Sequence, residues 1–154
     1  MHDDQLDIDD DVVRRLIADQ FPAWSAEPLV RVPGSYETPL AAQVLLERSD
    51  VDALVVLGYI ERGETLHGEV MGHVVHRALL DASLRHRKPV GFGFIGPGAL
   101  PRQAEKRKDE YARAAVRAAV QMLGVLGDLE RAQDGLGAAA GAKPRRRARK
   151  SAAR

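Results

Sequence analysis

The sequence predicts an α/β domain of three layers, α/β/α, in which a short parallel sheet lies between helices. Short apolar runs typical of buried strands alternate with longer segments whose apolar residues recur at helical spacing. The 154 residues are enough for one domain with one core, and 45% hydrophobic with 29% charged residues is ordinary for a globular protein. We expect the domain to span residues 10–134, between an acidic flexible segment at 1–9 and a basic, low-complexity, disordered tail at 135–154.

The first half of the domain contains two predicted helices and one strand. A helix begins at Asp9 or Asp10 and ends at Pro22, with apolar residues on one face: Val12, Val13, Leu16 and Ile17. A β-branched run at Leu29–Val32 predicts a strand that Pro33-Gly34 ends. A further helix starts at Pro39, since proline is favoured in the first helical turn.

The second half repeats strand and helix twice. Residues 51–57 are nearly all apolar and lie between Asp50 and Gly58, which predicts a strand buried on both faces. A helix over residues 66–86 and a strand over 89–95 follow. After a loop at 96–101, an alanine-rich helix runs from 102 to 124 or beyond.

The net charge of +1 conceals an uneven distribution. Six aspartates lie between positions 3 and 11, and seven Lys or Arg residues lie between 143 and 154. The basic segment 143–154 is either a solvated tail or a binding segment for nucleic acid or an acidic protein. The absence of cysteine, of a membrane-length apolar run and of a basic targeting sequence predicts a cytoplasmic protein without membrane contact.

The loops that follow the predicted strands contain the residues suited to chemistry. In a parallel α/β sheet these loops converge at one edge, where ligands bind. The middle loop, R-G-E-T-L-H-G-E at 62–69, enters a helix whose free amide groups favour an anion such as phosphate. Arg62 and Thr65 can assist anion binding, and His67 can move protons near neutral pH. The alternative is that Glu64 and Thr65 only cap the helix and that His67 is solvated.

Two further histidines, His73 and His76, lie three residues apart on the same predicted helix. This spacing suits a metal site, but no carboxylate or cysteine completes a ligand set at a familiar spacing. We therefore predict no metal site.

Three ordered motifs resemble those of the 6,7-dimethyl-8-ribityllumazine synthase family. They are V-P-G-S-Y-E-T-P at 32–39, V-L-G-Y-I-E-R-G-E-T-L-H-G-E at 56–69 and P-V-G-F-G-F-I at 89–95. The resemblance covers roughly residues 29–124 and implies the flavodoxin-like lumazine synthase topology. It also implies a homo-oligomer, either a pentamer or an icosahedral shell of pentamers.

The resemblance implies a transferase of riboflavin biosynthesis that needs no metal or organic cofactor. The family condenses 5-amino-6-(D-ribitylamino)uracil with 3,4-dihydroxy-2-butanone 4-phosphate to 6,7-dimethyl-8-ribityllumazine, the penultimate step of the pathway. His67 matches the proton-transferring histidine, and Glu69 matches the acidic residue near it. Phe92 and Arg107 match residues supplied by a neighbouring subunit. The substrate-binding positions implied in this way are Ser35, Tyr36, Glu37, Tyr59, Ile60, Glu61, Arg62, Glu64, Thr65, Phe92 and Arg107.

Several positions depart from the family pattern. The chain opens at the helix that follows the family's first strand, which carries a stacking aromatic residue. Gly68 stands where the family has an aromatic residue, and Glu61 replaces an apolar one. These departures keep an alternative open, in which the chain is a catalytically weak or inactive homologue with a structural or assembly role.

Overall fold

The computed structural model describes residues 14, 15, 18 and 29–141 and divides the chain into two units, residues 1–33 and 34–154. In the first unit Arg14, Arg15 and Ala18 are helical, as the sequence predicts for this stretch. The apolar residues of that predicted helix lie outside the described residues, as do segments 1–9 and 142–154.

The predicted strand Leu29–Val32 is wrong, because these residues have no regular secondary structure. A β-branched run forms a strand only where a neighbouring strand exchanges backbone hydrogen bonds with it. The described residues of the first unit contain no such neighbour.

The second unit confirms the α/β class. Its strands β1 and β2 pair in parallel as a two-stranded sheet. The elements in chain order are a 3₁₀ turn at Ser35–Glu37, α1 at Thr38–Glu47, β1 at Leu54–Glu61, α2 at His67–His86, β2 at Val90–Ala99 and α3 at Pro101–Gly141.

The side chains of β2 show the three layers directly. Phe92 and Phe94 face α2, where their ring centroids lie 5.8 and 5.2 Å from that of His76. The alternate residues Gly91 and Gly93 face α3. An added Cβ at Gly91 would collide with the carbonyl of Ala115, and one at Gly93 would lie 3.3 Å from Cβ of Ala115 and collide with the side chain of Leu57 on β1. The sheet therefore lies between α2 on one face and α3 on the other.

The core lies mainly between the sheet and helices α1 and α2. Val75 and Leu79 of α2 have no exposed surface. They pack in a single cluster with the buried residues Ala42, Val56, Ile60 and Phe94. Burial of such side chains is the main stabilising contribution, about 1.5–3 kcal/mol for each large one.

Both strands run further than the sequence predicts. β1 begins at Leu54, later than the predicted start at 51, and continues past Gly58, the predicted end, because its pairing with β2 continues there. Glycine suits this position, since the ring of Phe94 occupies the space of a Cβ. β2 includes residues 96–99, predicted as loop. Gly96 makes this extension possible, since its φ is +104° and the carbonyl of Ile60 lies where a Cβ would project.

The last helix, α3, is also longer than predicted and continues past residue 135 to Gly141. Segment 135–141 contains three alanines and three glycines, so helix propensity alone does not explain this continuation. No helix among the described residues is both long and apolar enough to cross a membrane.

Candidate active site

Three segments meet near the carboxyl ends of β1 and β2: the 3₁₀ turn, the end of β1 and the start of α2. The ring of Tyr36 lies 5.8 Å from that of His67, centroid to centroid, at an interplanar angle of 66°. The amide of Arg62 donates to the carbonyl of Ala99 at 3.0 Å and joins the ends of β1 and β2. The start of α2 rests on the end of β1, where a Cβ added to Gly68 would lie 2.8 Å from the carbonyl oxygen of Glu61.

The first segment is the 3₁₀ turn that presents Tyr36. The hydroxyl of Thr38 donates to the carbonyl of Ser35 at 2.6 Å, and the amide of Glu37 donates to the carbonyl of Gly34 at 3.4 Å. These bonds hold the turn while Tyr36 and Glu37 stay exposed and Ser35 is half-buried. The turn therefore offers an aromatic ring and a carboxylate to a ligand.

The second segment is the end of β1. Tyr59 is half-buried, and its hydroxyl donates to the carbonyl of Ala99 at 3.0 Å. Burial, with a smaller contribution from the charge of Glu61, raises the pKa of Tyr59. Ile60 is only 3% exposed, so its side chain belongs to the core, whereas Glu61 and Arg62 are exposed.

The third segment is the turn that leads into α2. His67 is the first helical residue, and its amide donates to the hydroxyl of Thr65 at 3.4 Å. The first helical hydrogen bond runs from the amide of Val70 to the carbonyl of Leu66, so the amides before it have no partner within the helix. The N-cap residue is Leu66, and no side chain makes a cap hydrogen bond there. The helix start favours an anion.

The imidazole of His67 has no hydrogen-bond or ion-pair partner in the described part of the chain. Oε1 of Glu69, the residue expected close to His67, lies 4.0 Å from Nε2 of His73. His76 turns the other way, with its Nδ1 2.7 Å from the carbonyl of Gly72 and its ring stacked on Phe92.

Besides the buried side chain of Ile60, Phe92 and Arg107 are the predicted residues that do not join this group. Phe92 lies midway along β2, opposite Val56. Arg107 is exposed on α3. Their predicted roles depend on a neighbouring subunit and stay predictions.

Two residues at the site were absent from the predicted set. Ala99 accepts two hydrogen bonds with its carbonyl, but the sequence places it in a loop and offers no signal for this role. Gly68 lets α2 approach β1. The sequence does indicate that this position is unusual, because glycine stands where the lumazine synthase family has a large aromatic residue.

Comparison with known proteins agrees with the motifs. The family model for 6,7-dimethyl-8-ribityllumazine synthase matches residues 12–127. A protein of that name from Metallosphaera sedula is 49% identical over 92 residues, which are 60% of this chain and 61% of that protein. Another from Staphylothermus marinus is 46% identical over 93 residues, 60% and 62% of the two chains. A third from Methanococcus aeolicus is 45% identical over 100 residues, 65% and 73%. The chain thus spans about three fifths of the length of the first two relatives.

Proposed function

Since the chain belongs to the 6,7-dimethyl-8-ribityllumazine synthase family, we propose that it condenses 5-amino-6-(D-ribitylamino)uracil with 3,4-dihydroxy-2-butanone 4-phosphate. The products are 6,7-dimethyl-8-ribityllumazine, phosphate and water. The observation that carries this proposal is the meeting of the Tyr36 turn, the end of β1 and His67 at one edge of the sheet.

The start of α2 is the proposed phosphate site. The amides there that lack a partner within the helix and the positive end of the helix dipole attract an anion, and the exposed guanidinium of Arg62 lies at the same turn. The phosphate serves first as a handle for binding and later as the leaving group. Neutralising its charge lowers the barrier to its departure.

His67 is the proposed proton carrier. The amine of the uracil attacks the ketone, and loss of water forms an imine. Loss of phosphate takes a proton from the neighbouring carbon, and the resulting enol becomes a second ketone. The second amine attacks this ketone, and loss of a second water closes the ring. Each step moves a proton to or from carbon, nitrogen or oxygen, which an imidazole does efficiently near neutral pH. Holding the two substrates side by side supplies much of the remaining acceleration.

The remaining substrate contacts follow the three segments. Glu37 and Ser35 are proposed to bind the ribityl hydroxyls, since a carboxylate accepts hydrogen bonds from them. The end of β1, from Tyr59 to Glu61, is proposed to line the pyrimidine. Glu64 and Thr65 complete the phosphate turn.

We also propose a homo-oligomer, either a pentamer or a shell of pentamers, in which Phe92 and Arg107 reach the site of a neighbouring subunit. Support comes from large apolar side chains exposed on the two helices beside the site. These are Leu40 (72%), Val44 (56%), Leu66 (71%), Val70 (52%) and Val74 (52%). Sedimentation of the purified chain tests this, and a monomer at micromolar concentration contradicts it.

For the basic segment 143–154 we propose contact with nucleic acid or an acidic protein. Separately, we propose a cytoplasmic location, since a sequence without cysteine suits a reducing compartment. The test of the binding proposal is elution from immobilised DNA with salt, for the whole chain and for a variant lacking 143–154. Equal elution of the two discards nucleic acid binding.

One observation favours a second candidate, a weak or inactive homologue with an assembly role. The exposed carboxylate of Glu61 lies at the turn proposed to bind phosphate and opposes an anion there. The deciding experiment supplies both substrates and follows lumazine absorbance, with His67→Ala as control. Product at the uncatalysed rate rejects the enzyme and favours the assembly role.

A further inference from the structure

The imidazole of His67 makes one ring contact in the described part of the chain, with the ring of Tyr36. It is exposed and lacks a hydrogen-bond partner there. Catalytic histidines are commonly oriented by a carboxylate or carbonyl that accepts from one ring nitrogen. Here Glu69, two residues along the chain, makes no hydrogen bond to the imidazole, and its Oε1 lies 4.0 Å from Nε2 of His73.

Both rings stand on anchored backbone. The turn that carries Tyr36 is held by the 2.6 Å bond from Thr38 to the carbonyl of Ser35. The start of α2, which carries His67, is held against the end of β1 through Gly68. The 5.8 Å separation at 66° is the edge arrangement that aromatic pairs favour.

We infer that Tyr36 is a positioning residue for His67, whose ring replaces the missing hydrogen-bond acceptor in orienting the imidazole. The inference rests on the proposed proton-transfer role of His67. The ring of Tyr36, rather than its hydroxyl, carries this role, because the hydroxyl has no hydrogen-bond partner among the described residues. Tyr36 thereby does more than line the substrate.

The test compares Tyr36→Leu with Tyr36→Phe, using Tyr111→Leu as the matched control. Tyr111 is a half-buried tyrosine of α3, outside the site. The first measurement is the histidine ring signals in the NMR spectrum of the full ligand-free chain, with His67 assigned from His67→Gln. We expect Tyr36→Leu to shift the His67 ring signals and Tyr36→Phe to leave them near the wild-type position. Tyr111→Leu should leave them unchanged.

The second measurement is lumazine formation at saturating and limiting substrate. Because loss of orientation acts on the chemical step, we expect Tyr36→Leu to lower kcat about tenfold with KM altered less than about twofold. Tyr36→Phe should restore kcat. A raised KM with unchanged kcat would show that Tyr36 only holds substrate, and would overturn the inference.

The spectra separate this inference from the proposed function. Unchanged His67 signals in Tyr36→Leu overturn the positioning role, whatever activity the chain has. If Tyr36→Leu shifts the His67 signals while the wild-type chain forms no lumazine, the result supports the Tyr36–His67 contact and rejects the proposed function instead.

Discussion

Replacing Gly68 by alanine tests whether α2 docks on β1 as the structure shows. The added Cβ would lie 2.8 Å from the carbonyl oxygen of Glu61, whereas ordinary contact begins at 3.4 Å. The other close atom, Cγ2 of Ile60, is at an ordinary 3.6 Å. The atom that obstructs the added Cβ therefore belongs to the backbone of Glu61, which cannot move aside by changing a side-chain rotamer.

The size of the effect follows from these distances. The start of α2 must shift by about 0.6 Å, the difference between the two separations, since close-packed interiors leave no slack. A misplacement of 1 Å costs about 100-fold in rate, so we expect kcat to fall about tenfold for Gly68→Ala because His67 is displaced. Overpacking costs about 1–3 kcal/mol, and the better helix propensity of alanine returns up to about 1 kcal/mol. The net loss of stability is about 1 kcal/mol.

Gly124→Ala is the matched control, because a Cβ added to this helical glycine of α3 meets nothing within 4 Å. It should raise the free energy of unfolding by up to about 1 kcal/mol and leave lumazine formation unchanged. Urea denaturation and initial rates of both variants provide the comparison. If Gly68→Ala gains stability like Gly124→Ala and keeps its kcat, the docking of α2 on the end of β1 is refuted.

Three further predictions concern packing and pH. Leu79→Ala should lower the free energy of unfolding by about 2–5 kcal/mol, because Leu79 is fully buried. Leu80 is 47% exposed, so Leu80→Ala should change the free energy of unfolding by less than about 1 kcal/mol. Urea titration measures both variants, and equal losses would contradict the assigned core. Gly72→Ala should cost about 1–2 kcal/mol, since its Cβ would lie 2.8 Å from the ring of Pro97, and an unchanged urea midpoint argues against this contact. Because the pKa of Tyr59 is raised, its hydroxyl stays protonated in the folded chain at a pH where it ionises in the unfolded chain. The free energy of unfolding is therefore constant below the ordinary pKa of 10.0 and falls as pH rises through the folded pKa. Unfolding measured between about pH 9 and 11 should show a weaker fall in Tyr59→Phe, and identical slopes would contradict the shift.

Local pattern was sufficient to predict the helices that cover the sheet. Helix α2 occupies residues 67–86 against a predicted 66–86, and α1 occupies 38–47 against a predicted start at 39, since helical spacing is a short-range signal. Strand ends depend on partners distant in sequence. The continuation of β1 through Gly58 reflects its pairing with Phe94 and Ile95 of β2, which no reading of residues 51–61 alone reveals.

The same division holds for the site. The turn at 62–69 and the convergence of the strand-end loops were predictable, because motif and sheet topology determine them. The approach of Tyr36 to His67 and the turning of Glu69 toward His73 were not. Such pairings are decided by rotamers and helix position, which a linear sequence does not encode locally.

The alternation of glycine and phenylalanine in β2 bears on how faithfully the chain folds. Sliding β2 by one residue along β1 would turn Phe92 and Phe94 into the backbone of α3 and leave glycines against the core. A sheet paired one residue out of register would therefore be destabilised on both faces, by collision with α3 on one and by unfilled space against the core on the other. The shapes of the glycine and phenylalanine side chains thus disfavour the neighbouring register of β2, and no charged or polar side chain is needed to define the correct one.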